Sequence, residues 1–137
     1  MRPEDREQMF RDGFDAYQSG DMERALTLYS PQIEATAPDW MNEATYTGHD
    51  GFLAWAAAWE EAWDEWSQEL LEVRAIGEHH VVARVRARGR GRTSGVELDQ
   101  EVGQVVSVDE DGLAEYLEIT LDFERALEVA HQREVSN

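Results

Sequence analysis

The chain has 137 residues, no cysteine, and 30 acidic against 12 basic residues, for a formal net charge of −18. That length supports one domain with its own core, and the missing cysteines exclude disulfides and thiolate zinc sites. The acidic field repels phosphate backbones and anionic membranes, so neither nucleic acid nor a membrane is an expected partner. Every basic residue is arginine, which removes lysine Schiff-base chemistry. The segment MRPEDREQMF lacks an apolar leader and the apolar run from Phe52 to Trp59 is too short to span a bilayer, so a cytoplasmic location is expected.

Pro3 to Ser19 is expected to form a helix: proline stands near its start, acids fill the first turn, and Met9, Phe10, Phe14 and Tyr17 recur at helical spacing. Gly20 ends it, and Asp21 N-caps a second short helix over Met22 to Tyr29, closed by Pro31. Ile33 to Ala37 alternates as a strand, Pro38 to Asn42 reads as loop, and Ala44 to Thr47 as a short extended piece. The stretch FLAWAAAWEEAWDEW, residues 52–66, then holds four of the five tryptophans. At 100° per residue, Phe52, Trp55, Trp59, Trp63 and Trp66 fall in a stripe roughly 80° wide, so a long helix opening at Gly48 is predicted to bury them all. After Ser67 the period switches to two. Strands broken by turns at Gly77 to His79, Arg92 to Gly95 and Asp109 to Gly112 run to Asp122, and a last helix covers Phe123 to His131. Long helices and an antiparallel four-stranded meander define an α+β chain.

The meander's register follows from its turns. A four-residue turn at Arg92 to Gly95 places Arg90 opposite Glu97, Arg88 opposite Asp99 and Arg86 opposite Glu101, a solvated ladder of unlike charges. The other face then carries Val85 with Val102, Ala87 with Gln100, Ala83 with Gln104, and Val81 with Val106. A turn at Asp109 to Gly112 adds Leu117, Ile119 and Leu121 to that apolar face and leaves Tyr116, Glu118 and Thr120 outside, with Val105 opposite Tyr116. The arginine stripe RVRARGRGR is thus read as half of a salt-bridge ladder, worth about 0 to 1 kcal/mol per pair, and not as a nucleic-acid patch.

Gly20-Asp21-Met22-Glu23, Leu28-Tyr29, Tyr46-Thr47-Gly48, RGRGRTSG, and DEDG ten residues before DFERALEVA together resemble a SnoaL-like domain of the nuclear-transport-factor-2-like superfamily, which also holds ketosteroid isomerases and polyketide cyclases. The resemblance runs from about Met9 to Ala130. It implies a strongly curved antiparallel sheet wrapped around a long helix, a cone-shaped barrel with a pocket in its wide end. It also implies a homodimer packed through the outer sheet face, where Val105 and Tyr116 would lie. Ketosteroid isomerases use a carboxylate base just before a proline, and an oxyanion site made by a helix tyrosine and a protonated aspartic acid. The matching positions here are Ala37 (before Pro38), Gly13 and Gln104. All three groups are replaced, and only Gln104 keeps a hydrogen-bond donor.

The remaining candidates are few. Gln100 and Gln104, two amides on the inward strand face, need partners when buried, and a cavity would supply them. Tyr17, Ala37, Trp40 and Trp55 complete the expected pocket wall. For catalysis the candidates are Asp39 in the loop APDWMNEA, His49 before the tryptophan helix, and Gln104. No histidine spacing resembles a metal site, and no phosphate loop or dinucleotide pattern is present, so neither a metal nor a nucleotide cofactor is expected. Two functions follow: a binding domain for a small hydrophobic molecule, or a cyclase- or isomerase-like enzyme that moves a proton next to a carbonyl. A dimerising domain with a vestigial pocket is the third.

Overall fold

The computed structural model describes residues 1–36 and 45–136. In chain order these form α1 (Pro3–Gln18), α2 (Met22–Thr27), β1 (Tyr29–Thr36), β2 (Tyr46–Thr47), α3 (Gly48–Ala62), β3 (Trp63–Ile76), β4 (His80–Gly91), β5 (Glu97–Val108), β6 (Ala114–Thr120) and α4 (Phe123–Ser136). Asp21 caps α2 as expected, its carboxylate accepting from the Arg24 amide at 3.2 Å. That helix is shorter than its sequence suggests: Tyr29 already belongs to β1, whose expected last residue, Ala37, lies outside the described residues. Asp39 and Trp40 lie outside them too.

One six-stranded sheet takes the order β2-β1-β6-β5-β4-β3. It is mixed, because β1 runs parallel to β6 while the other pairs are antiparallel, and it stays open, because β2 and β3 are its two edges. Side chains of α1 cover part of the free edge of β3: the Glu7 carboxylate accepts from the Ala75 amide at 2.8 Å, and the Gln18 amide donates to the Gln68 carbonyl at 2.8 Å. The inner face packs on α1 and α3 through Phe10, Phe52, Trp59, Val85, Val102 and Ile119.

The β4–β5 register is the one the turn dictates, with Arg90 opposite Glu97 and Ala83 opposite Gln104. Side chains lean diagonally within it. Arg86 makes a bidentate pair with Asp99 at 2.9 and 3.1 Å, and Arg84 reaches Glu101 at 3.1 Å. The β5–β6 register differs from expectation by two residues. Val108 already faces Ala114, one residue past its expected partner, and a bulge between Ser107 and Val108 adds a second, which puts Tyr116 opposite Ser107 and Glu118 opposite Val105. Because the slip is even, Leu117 and Ile119 still face inward and are buried, whereas Leu121, expected inside, lies past the strand end and is 55% exposed.

The tryptophan stretch is divided between two elements. Helix α3 ends at Ala62, so Trp63 and Trp66 stand on β3 and not on the predicted long helix. In a regular strand residues three apart point to opposite faces. Glu65 adopts a left-handed backbone, φ 56°, and the register slips between Asp64 and Ser67, so one extra residue is absorbed and both indoles face inward onto Trp59. The ring centroids of the three lie 4.9 to 5.5 Å apart. Gly89, on the facing strand, makes the room: a Cβ there would sit 2.8 Å from Trp66.

The outer face is not all solvent. Helix α4 packs Phe123, Ala126, Val129 and Ala130 onto Val82 and Val105. Thr120, expected outside, is buried beneath the same helix. Val105 is therefore sealed within its own chain and is not available to a second copy, which corrects its assignment to a dimer interface. Gly103 lets α4 approach, since a Cβ there would overlap the Asp122 carbonyl and Thr120 and stand 2.8 Å from Ala126. Gly103→Ala is expected to cost about 1–3 kcal/mol through overpacking, read as a lower urea midpoint with unchanged slope.

Candidate functional site

Between α1, α3 and the inner sheet face lies a cavity of about 60 Å³. Helix α1 contributes Phe10, Gly13, Phe14 and Tyr17, α3 contributes Phe52, Trp55 and Trp59, and the sheet contributes Tyr29, Gln68, Gln104 and Ile119 among others. The helical spacing that buries one face of α1 thus lines the cavity as well. Phe52 is central to the wall: the rings of Tyr17 and Tyr29 both meet it edge-on, at 6.3 and 4.8 Å between centroids.

Besides the indole N–H groups of Trp55 and Trp59, four wall residues carry polar groups, Tyr17, Tyr29, Gln68 and Gln104, and none of the six is charged. Tyr29 and Gln68 are engaged through their backbone carbonyls, and among the described residues no hydrogen bond is made by any of the four side chains, which leaves their polar atoms to water or a ligand within that part of the wall. Burial, reinforced by Glu60, pushes the Tyr17 phenol up to about 12, and burial with Tyr17 as neighbour raises Tyr29 further. Both therefore remain neutral O–H donors throughout the physiological range.

Tyr17, Trp55 and Gln104 line the cavity as expected. Gln100 does not: it sits on the inward side of β5 but out toward the strand's exposed end, beyond the cavity. Ala37, Asp39 and Trp40 fall outside the described residues. His49 does not line the cavity among the described residues; it sits in the first turn of α3 with Nε2 donating to the Tyr29 carbonyl at 2.9 Å, so that Nδ1 is the nitrogen left to accept a proton. Gly13 stands on the cavity wall with Tyr29 beside it, the Tyr29 hydroxyl 3.6 Å from where a Cβ would be. Tyr29 and Gln68 are the wall residues with polar side-chain oxygens that sequence reasoning missed, and of the apolar wall it named only Trp55. For Gln68 a signal existed, since alternation from Leu70 turns it inward.

A mixed, curved sheet that stays open and packs on helices around an aromatic-lined cavity defines an α+β fold. The SnoaL-like domain model matches residues 10–116, and the chain belongs to that family. Solved structures agree on the fold. A nuclear-transport-factor-2-like protein from Burkholderia thailandensis superposes with a TM-score of 0.78 at 22% identity, covering 98% of both chains. A putative SnoaL-like polyketide cyclase from a Jannaschia species gives 0.73 at 15% identity, covering 93% of this chain and 92% of that one. A protein with a ketosteroid isomerase-like fold from Catenulispora acidiphila, solved with trimethylamine, gives 0.69 at 11% identity, covering 90% and 92%. The comparison with curated proteins returns no match. Among the described residues no helix is long and apolar enough to cross a membrane.

Proposed function

We propose that this SnoaL-like protein binds a small hydrophobic molecule in the aromatic-lined cavity and lacks the acid–base apparatus of the ketosteroid isomerases. The observation that carries this reading is the wall itself. Among the described residues it offers rings, aliphatic groups, two phenols and two amides, but no carboxylate or imidazole to move a proton. Gly13, Ala37 and Gln104 at the three positions matched to the isomerase groups support the same conclusion.

The test is native mass spectrometry of the protein with a panel of cyclic and polyketide-like ketones in heavy water. Retained ligand without deuterium next to the carbonyl supports a binding domain. Protein-dependent exchange would instead support the cyclase- or isomerase-like reading, which the two phenolic donors favour, with Asp39 or His49 as base. Gln104→Leu is expected to weaken the retained ligand about two- to tenfold by removing one hydrogen bond, while leaving the apoprotein at least as stable, since among the described residues the cavity-lining amide makes no hydrogen bond to protein. Turnover abolished by the same change would mark an enzyme.

A homodimer through the outer sheet face remains part of the proposal, with Tyr116 and not Val105 at its centre. Tyr116 donates to Glu118 and lies under Arg133, whose guanidinium stands 3.7 Å from the ring centroid. Sedimentation equilibrium of the protein and of Tyr116→Ala would test it.

A further inference from the structure

The cavity's polar groups restrict what can enter it. We propose that the ligand is an uncharged single-ring compound carrying a hydroxyl or carbonyl oxygen, and that the cavity rejects the corresponding anion; this rests on the small-molecule reading above.

Size and chemistry both support it. The free volume, about 60 Å³, is below the roughly 150 Å³ of a cavity that holds benzene, so even one ring needs the wall to adjust, and a fused polycycle needs far more. The described wall offers only uncharged hydrogen-bonding groups, on Tyr17, Tyr29, Gln68, Gln104 and the indoles of Trp55 and Trp59, and no cation to balance a buried negative charge. An unbalanced ion loses its hydration on entering such a space. The wall's own phenols illustrate the penalty, because burial holds both in the protonated form. A phenolate brought in by a ligand would meet the same environment. The Glu60 carboxylate is near enough to Tyr17 to raise it, and the chain as a whole carries a charge of −18, so the field around the cavity opposes an anion further.

With the wall adjusted to admit one ring, a neutral phenol or ketone is accommodated where its anion is not. Its oxygen accepts from the Tyr17 or Tyr29 hydroxyl, while the Gln68 and Gln104 amides can both donate and accept. The ring occupies the space bounded by Phe10, Phe52, Trp55 and Trp59.

Calorimetric titration with phenol and with 4-nitrophenol, at roughly pH 5.5 and pH 9, separates the possibilities. 4-Nitrophenol ionises between those values, whereas phenol stays neutral at both. Phenol therefore controls for titration of the protein's own groups near the site, Glu60 on α3 and His49 beside Tyr29. The expected result is a fall of at least about tenfold in 4-nitrophenol affinity at the higher pH, with phenol changed less than about twofold. In Tyr29→Phe the binding of both neutral compounds should weaken several-fold. Equal binding of the nitrophenolate would overturn the charge selection and leave the pocket standing. Binding of neither compound at millimolar concentration would remove the small-molecule reading, and this one with it.

Discussion

Trp59→Ala is expected to destabilise the protein by about 3–5 kcal/mol, measured by urea denaturation. Trp59 is the residue at which the two halves of the aromatic interior meet: its indole touches Trp63 and Trp66 and also forms part of the cavity wall. Removing it leaves both strand indoles without their edge contact to α3, and the helix cannot move in to fill the gap because its C-terminal end is tied to the sheet. There the Ala62 carbonyl accepts from the Arg92 amide at 3.0 Å. Trp59→Phe keeps a ring in place and should lose less than half as much. An equal loss for the two would show that indole size, and not the presence of a ring, sets the packing. Far-ultraviolet signal should persist in both variants, since β3 and β4 keep their ladder.

The second large effect lies at the other end of the molecule. The carboxylate of Glu134 on α4 accepts from the Glu78 amide at 3.0 Å, the His79 amide at 2.9 Å and Nδ1 of the fully buried His80. Gly77 beside it must be glycine, with φ 59° and no space for a Cβ next to that carboxylate. Glu134→Gln replaces an acceptor of three hydrogen bonds with a group that accepts at one end and donates at the other, for an expected loss of about 2–4 kcal/mol at pH 7. The loss should depend on acidity. Burial alone would raise the Glu134 carboxyl, but the hydrogen bonds from His80 and the two amides outweigh it and bring it down to about 2 from 4.5. A depressed carboxylate stabilises the fold above its unfolded value and loses that contribution as pH falls toward its folded value. Burial lowers His80 from 6.5, the Glu134 contact only partly opposing it, so the neutral imidazole is favoured in the fold and acid below about 6.5 favours the unfolded chain. Both signs agree. The gap in melting temperature between the protein and Glu134→Gln should be widest near neutrality and close as pH falls toward 2–3; a gap that stayed constant would mean that Glu134 acts through packing and not through its charge.

Much of the fold could be read from the sequence because its signals are local. The turn at Arg92 to Gly95 fixes the β4–β5 register through chain geometry alone, and every expected pair across it is present. The β5–β6 pair differs by two because the loop after Val108 is one residue longer than a four-residue turn and a bulge between Ser107 and Val108 adds another, with no glycine or proline at the bulge to announce it. Helical spacing of Trp55, Trp59, Trp63 and Trp66 pointed to the right interior by way of the wrong element: three-residue spacing is also what a strand with one bulge produces. Helical spacing places Tyr29 at the end of α2, whereas in the structure it opens β1 and so reaches the cavity wall. Gln100 and Gln104 share a strand face, yet only one meets the cavity, because curvature and depth along the strand are not encoded in alternation. Val105 has the parity of an outer residue; that α4 would cover it depends on a long-range docking that no local pattern states.

The bulge at Glu65 also bears on how such a chain could change length. Two residues, Glu65 and Trp66, occupy the place opposite Gly89 where a regular strand would have one. Loss of a single codon there would leave Trp63 and Trp66 two apart, the spacing at which an unbulged strand keeps both on one side, and every downstream residue of β3 would retain its face. Almost anywhere else in β3 the same deletion would turn part of the strand inside out. Leu71 occupies a second such place, between Leu70 and Glu72. These two positions give a long edge strand the means to absorb insertions and deletions without exchanging its cavity side for its solvent side, and they are where length variants of this protein are expected to survive selection.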